Sequence, residues 1–365
     1  MYDFAPYKDC LKHIAASDEA ARRLKPAEDD EDFPYFDVIP PYEIDADLKI
    51  SPSKALRRLQ GKTVVYTFAG DIPSSSVTTI NLHIRNRRSH SDENESGAAT
   101  AARVLGLNVG LVRAVMRAHD FGQTAFGHLG ENFIRDKTGV KFEHSDWSVI
   151  VAEMIERKGR GLNLTVQTLE GIAFHTSGKN NAAPDHSLSP ETNLVRLEDK
   201  FSAIFSDVND SFLRQRINPK KLDEIQSLLK YFGDNQRSRM LRVHFALARE
   251  SAALGYVSFH ECEEAKKFHE LKTLMYDNIY LALDRTWLDE ILANAYERIG
   301  QFEICSRIDP LVIIALCTDP EAFRLGDKNY PASEQEFKTF SVAEIIEESG
   351  QVLEKIDLKN LPKLI

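Results

Sequence analysis

The spacing of apolar residues constrains the fold most strongly, because they recur every three or four positions along most of the chain after about residue 46. Such spacing places apolar side chains on one face of a helix and is typical of helices that pack around a core. It predicts helices over 98–105, 111–118, 147–155, 194–208, 222–231, 237–253, 261–283, 287–299, 304–317 and 342–356. A mainly α fold follows, with loop-like sequence over residues 323–339.

Local signals add detail to this pattern. Asn108, Asp146 and Ser189 stand at the start of apolar-periodic segments, where a side-chain oxygen can cap a helix. Residues 63–68 and 76–84 are instead β-branched and alternating, with a Gly- and Pro-containing stretch between them. These two segments favour a short β-hairpin.

One short segment concentrates groups that can carry chemistry. From His119 to Glu131 the chain has two histidines and two carboxylates, mostly among apolar residues and glycines. The adjacent His119 and Asp120 offer an imidazole and a carboxylate, a ligand set that divalent transition metals accept. His128 and Glu131 are three residues apart, so on a helix they share a face and can act as an acid–base pair. The segment therefore indicates a metal-dependent hydrolase.

Two further residues would complete a set of metal ligands. His90 lies between a basic cluster and a helical pattern, and Asp199 lies within an apolar-periodic segment. Together with His119 and Asp120 they supply two nitrogen and two oxygen ligands. Such a set leaves coordination positions open for water and substrate oxygens, as a catalytic metal site requires.

The order His, His-Asp, Asp resembles that of the HD-domain phosphohydrolases. The flanking residues resemble one branch of that family, the deoxyguanosinetriphosphate triphosphohydrolase and deoxynucleotide triphosphohydrolase group. The similar blocks fall in the family's order over about residues 51–212: they are 53–63, 88–91, 119–131, 142–145, 161–165, 170–172, and Asp199 followed by Asp207 and Asp210, with a fainter echo at 317–319. The match is specific because several independent blocks agree.

This resemblance implies an HD-domain helical bundle that hydrolyses a deoxynucleoside triphosphate to the deoxynucleoside and inorganic triphosphate. It implies the following roles: metal ligands His90, His119, Asp120 and Asp199; catalytic groups His128, Glu131 and His144; substrate contacts Arg58, Gln60, Gln123, Lys200 and Asp207. In this scheme Glu131 orients the imidazole of His128, and His144 lies near the phosphates. The cofactor is one divalent metal ion, with Mn, Mg, Co, Ni, Fe and Zn all compatible with the ligands. Related enzymes form tetramers or hexamers, so the resemblance also implies a homo-oligomer.

The chain departs from the family's pattern in the substrate pocket. The family usually has His at the position of Gln123, often followed by two prolines where Thr124 and Ala125 stand, Tyr at Ala203 and His at Ser206. These departures predict an intact catalytic apparatus with altered specificity. They leave two alternatives open: an HD phosphohydrolase that acts on another nucleotide phosphate ester, and a regulator that binds nucleotides without turnover.

Composition bounds the compartment and the partners. There are 46 basic and 56 acidic residues, a net charge of −10, which argues against a dedicated nucleic-acid surface. The local basic cluster Arg85, Arg87 and Arg88 is interpreted either as phosphate-facing or as a solvated loop. No apolar stretch approaches the roughly 20 residues that span a bilayer, and the N-terminus lacks the pattern of a signal peptide, so no membrane association and a cytoplasmic location are expected.

The chain is expected to contain one main domain. Residues 1–45, with an acidic run and several prolines, are predicted to be an N-terminal extension. Residues 46–320 are predicted to form the HD-type domain, with the catalytic blocks in 51–212 and a helical remainder in 213–320. Residues 321–365 are predicted to form a C-terminal loop and helix.

Overall fold

The computed structural model describes residues 49–63, 85–176, 183–213, 221–280, 286–329 and 331–361. Within these ranges the fold is α-helical, which confirms the predicted mainly α class. The predicted hairpin lies outside the described ranges except for Thr63, which forms an isolated antiparallel bridge with Asn86. The predicted N-terminal extension also lies outside them. Among the helices of the described ranges, none is both long and apolar enough to cross a membrane.

Apart from a short turn at Glu156–Gly159, in which Arg157 and Lys158 have positive φ, the α-helices of the described ranges are numbered here in chain order. They are α1 Lys54–Arg58, α2 Arg87–Leu105, α3 Val109–Ala118, α4 His128–Thr138, α5 His144–Ile150, α6 Val166–Phe174, α7 Pro190–Leu213, α8 Leu222–Phe232, α9 Gln236–Leu254, α10 Glu263–Met275, α11 Thr286–Ile299, α12 Pro310–Leu316, α13 Asp319–Gly326, α14 Glu334–Phe337 and α15 Ser341–Leu353. A π-helical turn, Val151–Ile155, continues α5, and another, Tyr276–Tyr280, continues α10. A 3-10 turn, Leu59–Gly61, follows α1.

The helix-start signals were mostly correct. Asn108 Oδ1 accepts a hydrogen bond from Leu111 N at 3.0 Å, and Ser189 Oγ accepts one from Thr192 N at 3.1 Å, so both cap a helix as predicted. The prediction for Asp146 is wrong, because this residue lies inside the first turn of α5.

The loop prediction for residues 323–339 is wrong in part. Helix α13 continues through Phe323 to Gly326, and α14 forms a further short helix over Glu334–Phe337. The start signal of α13 lies upstream of the predicted loop, where Thr318 is followed three residues later by Glu321 in a capping box.

The chain divides into two compact units. Unit I comprises the described residues within 90–117 and 165–283, and unit II comprises those within 47–89, 118–164 and 284–365. Helix α2 therefore begins in unit II and continues in unit I, so the two units are built from interleaved segments of the chain.

An aromatic cluster fills the core of unit I. Phe201 and Phe205 are four residues apart on α7 and so share one face of the helix. The Phe201 ring packs edge-on against Phe259 and Phe268, with centroids 4.8 and 5.1 Å apart, and Phe205 packs in the same way against Phe232 at 5.2 Å. Edge-to-face pairs of this kind stabilise a core beyond the burial of their area. The cluster fixes the orientation of α7, which carries the predicted ligand Asp199.

In unit II a glycine allows two helices to approach closely. A Cβ atom at Gly326 of α13 would lie 2.1 Å from the carbonyl oxygen of Ile291 in α11. Side chains on the facing surface, such as Leu292 and Ala295, are fully buried. This contact fixes α13 and hence the segment at its start, which includes Asp319.

Replacing Glu250 in unit I by glutamine is expected to cost about 2 kcal/mol of unfolding free energy at pH 7. Its carboxylate accepts hydrogen bonds from Ser258 Oγ at 2.6 Å, His260 N at 2.7 Å and Cys262 N at 2.8 Å, just before α10 begins. Burial opposes the charge, but these donors lower the pKa of Glu250 from 4.5 to about 2. Urea denaturation of both proteins across pH would measure the cost.

The sign of the pH dependence follows from the lowered pKa. The unfolded chain binds a proton at Glu250 at higher pH than the folded chain does, so the stabilisation is complete above about pH 4.5 and is lost toward pH 2. The exposed neighbour Glu263 serves as the control, because Glu263→Gln should cost less than about 0.5 kcal/mol. A cost for Glu250→Gln that stays constant down to pH 2 would contradict this account.

Candidate active site

The loop that joins α3 to α4 holds the first two predicted metal ligands, His119 and Asp120, against α5. A Cβ atom at Gly122 would lie 2.2 Å from Ser148 N and 2.5 Å from His144 O, so only glycine permits this approach. Ser148 Oγ accepts from Gly122 N at 2.8 Å and donates to His119 O at 2.7 Å. The backbone around both predicted ligands is thereby fixed on α5 of unit II.

Asp120 has basic groups around both carboxylate oxygens. Its Oδ2 accepts from Arg87 NH1 at 2.9 Å and lies 3.4 Å from His119 Nε2. Its Oδ1 lies 3.7 Å from His144 Nε2. All four side chains are buried. One residue of the basic cluster, Arg87, therefore makes a specific contact with a predicted ligand, whereas a solvated loop would not.

The other two predicted ligands meet within unit I. His90 Nε2 lies 2.9 Å from Asp199 Oδ1, and Asn94 Nδ2 is 3.1 Å from each of these two atoms. His90 is fully buried on α2, while a quarter of the Asp199 side chain is exposed. Asn94 lies one helical turn after His90 and holds the side chains of His90 and Asp199 in place.

The donor atoms in each unit fit a divalent metal. Two ligands at 2.0–2.2 Å from one ion lie about 3 Å apart. The histidine–carboxylate distances are 2.9 Å in unit I and 3.4 Å in unit II, so each pair can share an ion. Buried imidazole and carboxylate groups of this kind can hold a metal ion, and their chemistry suits several transition metals.

The predicted catalytic groups cluster within unit II. Ligand atoms of His128, Glu131 and His144 all lie within 4.8 Å of one another. The shortest contact joins His144 Nδ1 to Glu131 Oε1 at 2.5 Å, and Glu131 Oε2 accepts from Arg135 NH2 at 3.0 Å. In the structure, therefore, Glu131 orients His144, whereas the sequence predicted that Glu131 would pair with His128.

The three groups of this cluster differ in how their surroundings shift their pKa values. Burial alone would raise the pKa of Glu131, but the adjacent His144 lowers it to about 2. Burial alone would lower the pKa of His144, but Glu131 raises it. The imidazole of His128 is exposed, yet desolvation by surrounding protein atoms lowers its pKa. Its ring centroid lies 5.9 Å from that of His144, edge to face. The surroundings therefore shift the pKa values of the two histidines in opposite directions.

The predicted substrate contacts of unit II differ in their surroundings. Gln123 is fully buried, and neither side-chain amide atom has a hydrogen-bond partner in the described part of the chain. Gln60 is exposed. Arg58 is tied to structure, because its guanidinium binds Glu321 at 3.2 Å and Ser341 Oγ at 2.8 Å. Gln123 is the one of these three whose buried polar atoms a ligand would satisfy.

The remaining predicted contacts lie on α7 in unit I. Asp199, Ala203 and Asp207 are four residues apart and share a face of the helix. Burial, together with the nearby charges of Lys272 and Arg196, lowers the pKa of Lys200 to about 7. Ala203 and Ser206, at which the chain departs from the family's usual residues, both lie in the described part of α7. Ser206 Oγ accepts a hydrogen bond from Gln236 Nε2 at 2.9 Å.

Sequence reasoning missed two residues that shape the site. Asn94 bonds both His90 and Asp199, and its position four residues after His90 on one helix was an available signal. Ser148 bonds two backbone groups of the 119–122 segment, for which the sequence offers no signal because the contact depends on how α5 packs.

Comparison with known proteins supplies the family. No family model matches the chain. A deoxyguanosinetriphosphate triphosphohydrolase-like protein of Clostridium perfringens is 31% identical over 271 residues, which are 73% of this chain and 72% of the relative. A protein of the same description from Caldanaerobacter subterraneus subsp. tengcongensis is 29% identical over 275 residues, 75% of this chain and 74% of the relative. The chain belongs to the family of deoxyguanosinetriphosphate triphosphohydrolase-like proteins.

Proposed function

We propose that this protein hydrolyses deoxynucleoside triphosphates, dGTP or others, to the deoxynucleoside and inorganic triphosphate, using one divalent metal ion. The description of its relatives supports the substrate class. The observation that carries the proposal is the buried cluster of unit II, in which His144 contacts both Glu131 and the predicted ligand Asp120. A protein that only bound nucleotides would have no need of such an acid–base group.

His90, His119, Asp120 and Asp199 are proposed to hold the metal ion. When bound, a divalent metal neutralises phosphate charge and makes an attacking water more acidic. Arg87 and Asn94 position these ligands through their contacts with Asp120 and Asp199. Such outer contacts orient metal ligands and contribute to affinity.

His128 and the His144–Glu131 pair are proposed to handle protons. In the reaction, water adds to the α-phosphorus, the bond from this phosphorus to the 5′ oxygen breaks, and the sugar oxygen gains a proton. A neutral His128 suits the transfer of that proton from the water toward the leaving oxygen. His144, fixed through Nδ1 by Glu131, presents Nε2 to the site, and its protonated imidazole would donate a hydrogen bond from that atom.

Gln123, Lys200 and Asp207 are proposed to contact the substrate. The buried amide of Gln123 offers a donor and an acceptor to a phosphate or sugar oxygen. Although its surroundings lower the pKa of Lys200 to about 7, a bound triphosphate would favour the charged form, which would then donate to a phosphate oxygen. For Arg58 the geometry favours a structural role instead, since its guanidinium already binds Glu321. A homo-oligomeric state and a cytoplasmic location stay predictions.

Product analysis tests the proposal. The purified protein would be incubated with Mn²⁺, Mg²⁺ or Co²⁺ and with each deoxy- and ribonucleoside triphosphate and monophosphate. We expect a deoxynucleoside and tripolyphosphate, identified by ion-exchange chromatography and ³¹P NMR. In H₂¹⁸O the label should appear in tripolyphosphate, because the bond to phosphorus is the one that breaks.

Other products would point elsewhere. Orthophosphate released from monophosphates would make this protein a nucleotidase that acts on another phosphate ester. Tight nucleotide binding with no product under any metal would favour a regulator. Either result would overturn the proposed reaction.

A further inference from the structure

The turn that precedes His128 has a backbone conformation that a neighbouring group must hold. Phe126 has φ 59° and Gly127 has φ 60° with ψ −130°, and α4 begins at the next residue. Glycine adopts positive φ readily, but in a phenylalanine this conformation is strained and persists only when the surroundings impose it. The position of the His128 side chain depends on this turn.

The group that holds the turn is Asp319, from a segment 193 residues away in the sequence. Its Oδ1 accepts a hydrogen bond from Phe126 N at 2.8 Å. Both Asp319 and Phe126 are buried, so no water replaces this bond if it is lost. If Phe126 relaxed to a negative φ, Gly127 and the start of α4 would shift with it.

The other oxygen of the same carboxylate fixes a second segment of unit II. Asp319 Oδ2 accepts from Thr63 N at 2.8 Å and from Thr63 Oγ1 at 2.7 Å. Thr63 pairs with Asn86, and Arg87 N donates to Lys62 O at 2.7 Å. The carboxylate therefore joins the segment that presents Arg87 to the turn that presents His128.

A buried lysine reinforces this connection. Lys62 Nζ donates to Gln123 O, in the same loop as Phe126. Burial lowers the pKa of Lys62 to about 7, while the nearby charge of Asp319 opposes that shift. The loop that carries Gln123 is thus fixed at two points, by Lys62 and by Asp319.

Asp319 is not needed to cap its own helix. Although it is the first residue of α13, the helix start is capped by Thr318 and Glu321, since Glu321 Oε2 accepts from Thr318 N at 2.8 Å. The Asp319 carboxylate instead accepts three hydrogen bonds from other segments, two from Thr63 and one from Phe126. Its placement is therefore explained by the loop it holds and not by the local helix.

We infer that Asp319 is a positioning residue of the active site, which holds the Phe126–Gly127 turn and thereby sets where His128 projects. This inference rests on the proposed function, because it assigns the turn a role in turnover. A displacement of about 1 Å in a catalytic group can cost about 100-fold in rate. The C-terminal part of the chain, which lacks recognisable chemistry of its own, thus acts on the reaction through one carboxylate.

The test compares Asp319→Asn with Asp327→Asn. Asp327 is a matched control, because it is also a buried aspartate and lies just past the opposite end of α13. Within the described part of the chain, its carboxylate accepts from the nearby Asn329 N at 2.8 Å. An asparagine at 319 would direct an amide N–H toward a backbone donor and lose the bond to Phe126 or to Thr63. Hydrogen–deuterium exchange of peptides within 121–134 and the kinetics of dGTP hydrolysis would be measured together.

We expect Asp319→Asn to speed exchange in residues 121–127 and to lower kcat by about 30- to 100-fold. KM should change less than about threefold, because Gln123 is the one proposed substrate contact in that segment and Lys62 still holds it. Asp327→Asn should change neither quantity. Unchanged exchange in 121–127 together with wild-type kcat would overturn the inference. So would a uniform rise in exchange across unit II with activity lost only in proportion to the folded fraction.

A second variant, and the exchange data taken by themselves, keep the outcome decisive. If Asp319→Asn does not fold, Thr63→Val removes only the Oγ1 donor and should give the same pattern at about 3- to 10-fold in kcat. If the wild-type protein hydrolyses no nucleotide, the proposed function fails. Hydrogen–deuterium exchange of Asp319→Asn then tests by itself whether Asp319 holds the turn. Faster exchange confined to residues 121–127 would support this role, and unchanged exchange there would overturn it.

Discussion

Replacing Asp199 by asparagine is expected to lower kcat by at least about 1,000-fold, because a catalytic metal contributes several kcal/mol to the transition state. Asparagine keeps the shape of the side chain and an acceptor for Asn94, so the fold should persist. It removes the charge of a proposed ligand, so metal affinity should fall as well. Metal content by mass spectrometry and Mn²⁺ titration by calorimetry would be measured beside the rate.

Controls separate metal loss from general damage. Asp136→Asn changes an exposed aspartate on α4 and should leave both metal content and kcat unchanged. Treatment of the wild-type protein with a chelator should remove activity to the same extent, and added Mn²⁺ or another divalent metal should restore it. An Asp199→Asn protein with full metal content and wild-type turnover would refute the proposed ligand set.

Replacing His128 by alanine is expected to lower kcat by about 100- to 10,000-fold while the metal stays bound, because general acid–base catalysis contributes that range. His128 lies in none of the predicted metal-ligand pairs, and its exposed ring can be removed at little cost in stability. Turnover, metal content and nucleotide affinity would be measured on the same preparation.

The matched control is His269→Ala, which removes another exposed histidine from a helix surface. It should retain full activity and stability. A His128→Ala protein with a wild-type rate would exclude His128 from proton transfer and favour the His144–Glu131 pair as the only acid–base group. A rate loss that tracks metal loss would instead make His128 part of the metal site.

The histidine that pairs with Glu131 could not be predicted from the sequence alone. The spacing of His128 and Glu131 predicts a shared helix face, and both do lie in the first turn of α4. Spacing cannot rank two competing partners for one carboxylate. Glu131 bonds His144, from the next helix, because α5 places its first residue against α4. A tertiary contact therefore overrode a local one.

The sequence by itself determined most of the longer helices and the identity of the candidate ligands, because a 3.6-residue period and the order of His and Asp residues are local properties of a chain. Asn108 and Ser189, for example, cap helices as their side chains alone require. Only the tertiary structure decided that Arg58 binds Glu321, that Arg87 binds Asp120, and that Asp319 holds Phe126. These contacts join residues that are 33 to 263 positions apart in the sequence. A buried charge or backbone group forms its hydrogen bond with the partner that the packing places within about 3 Å. No sequence period encodes that choice, because it depends on how the elements are arranged.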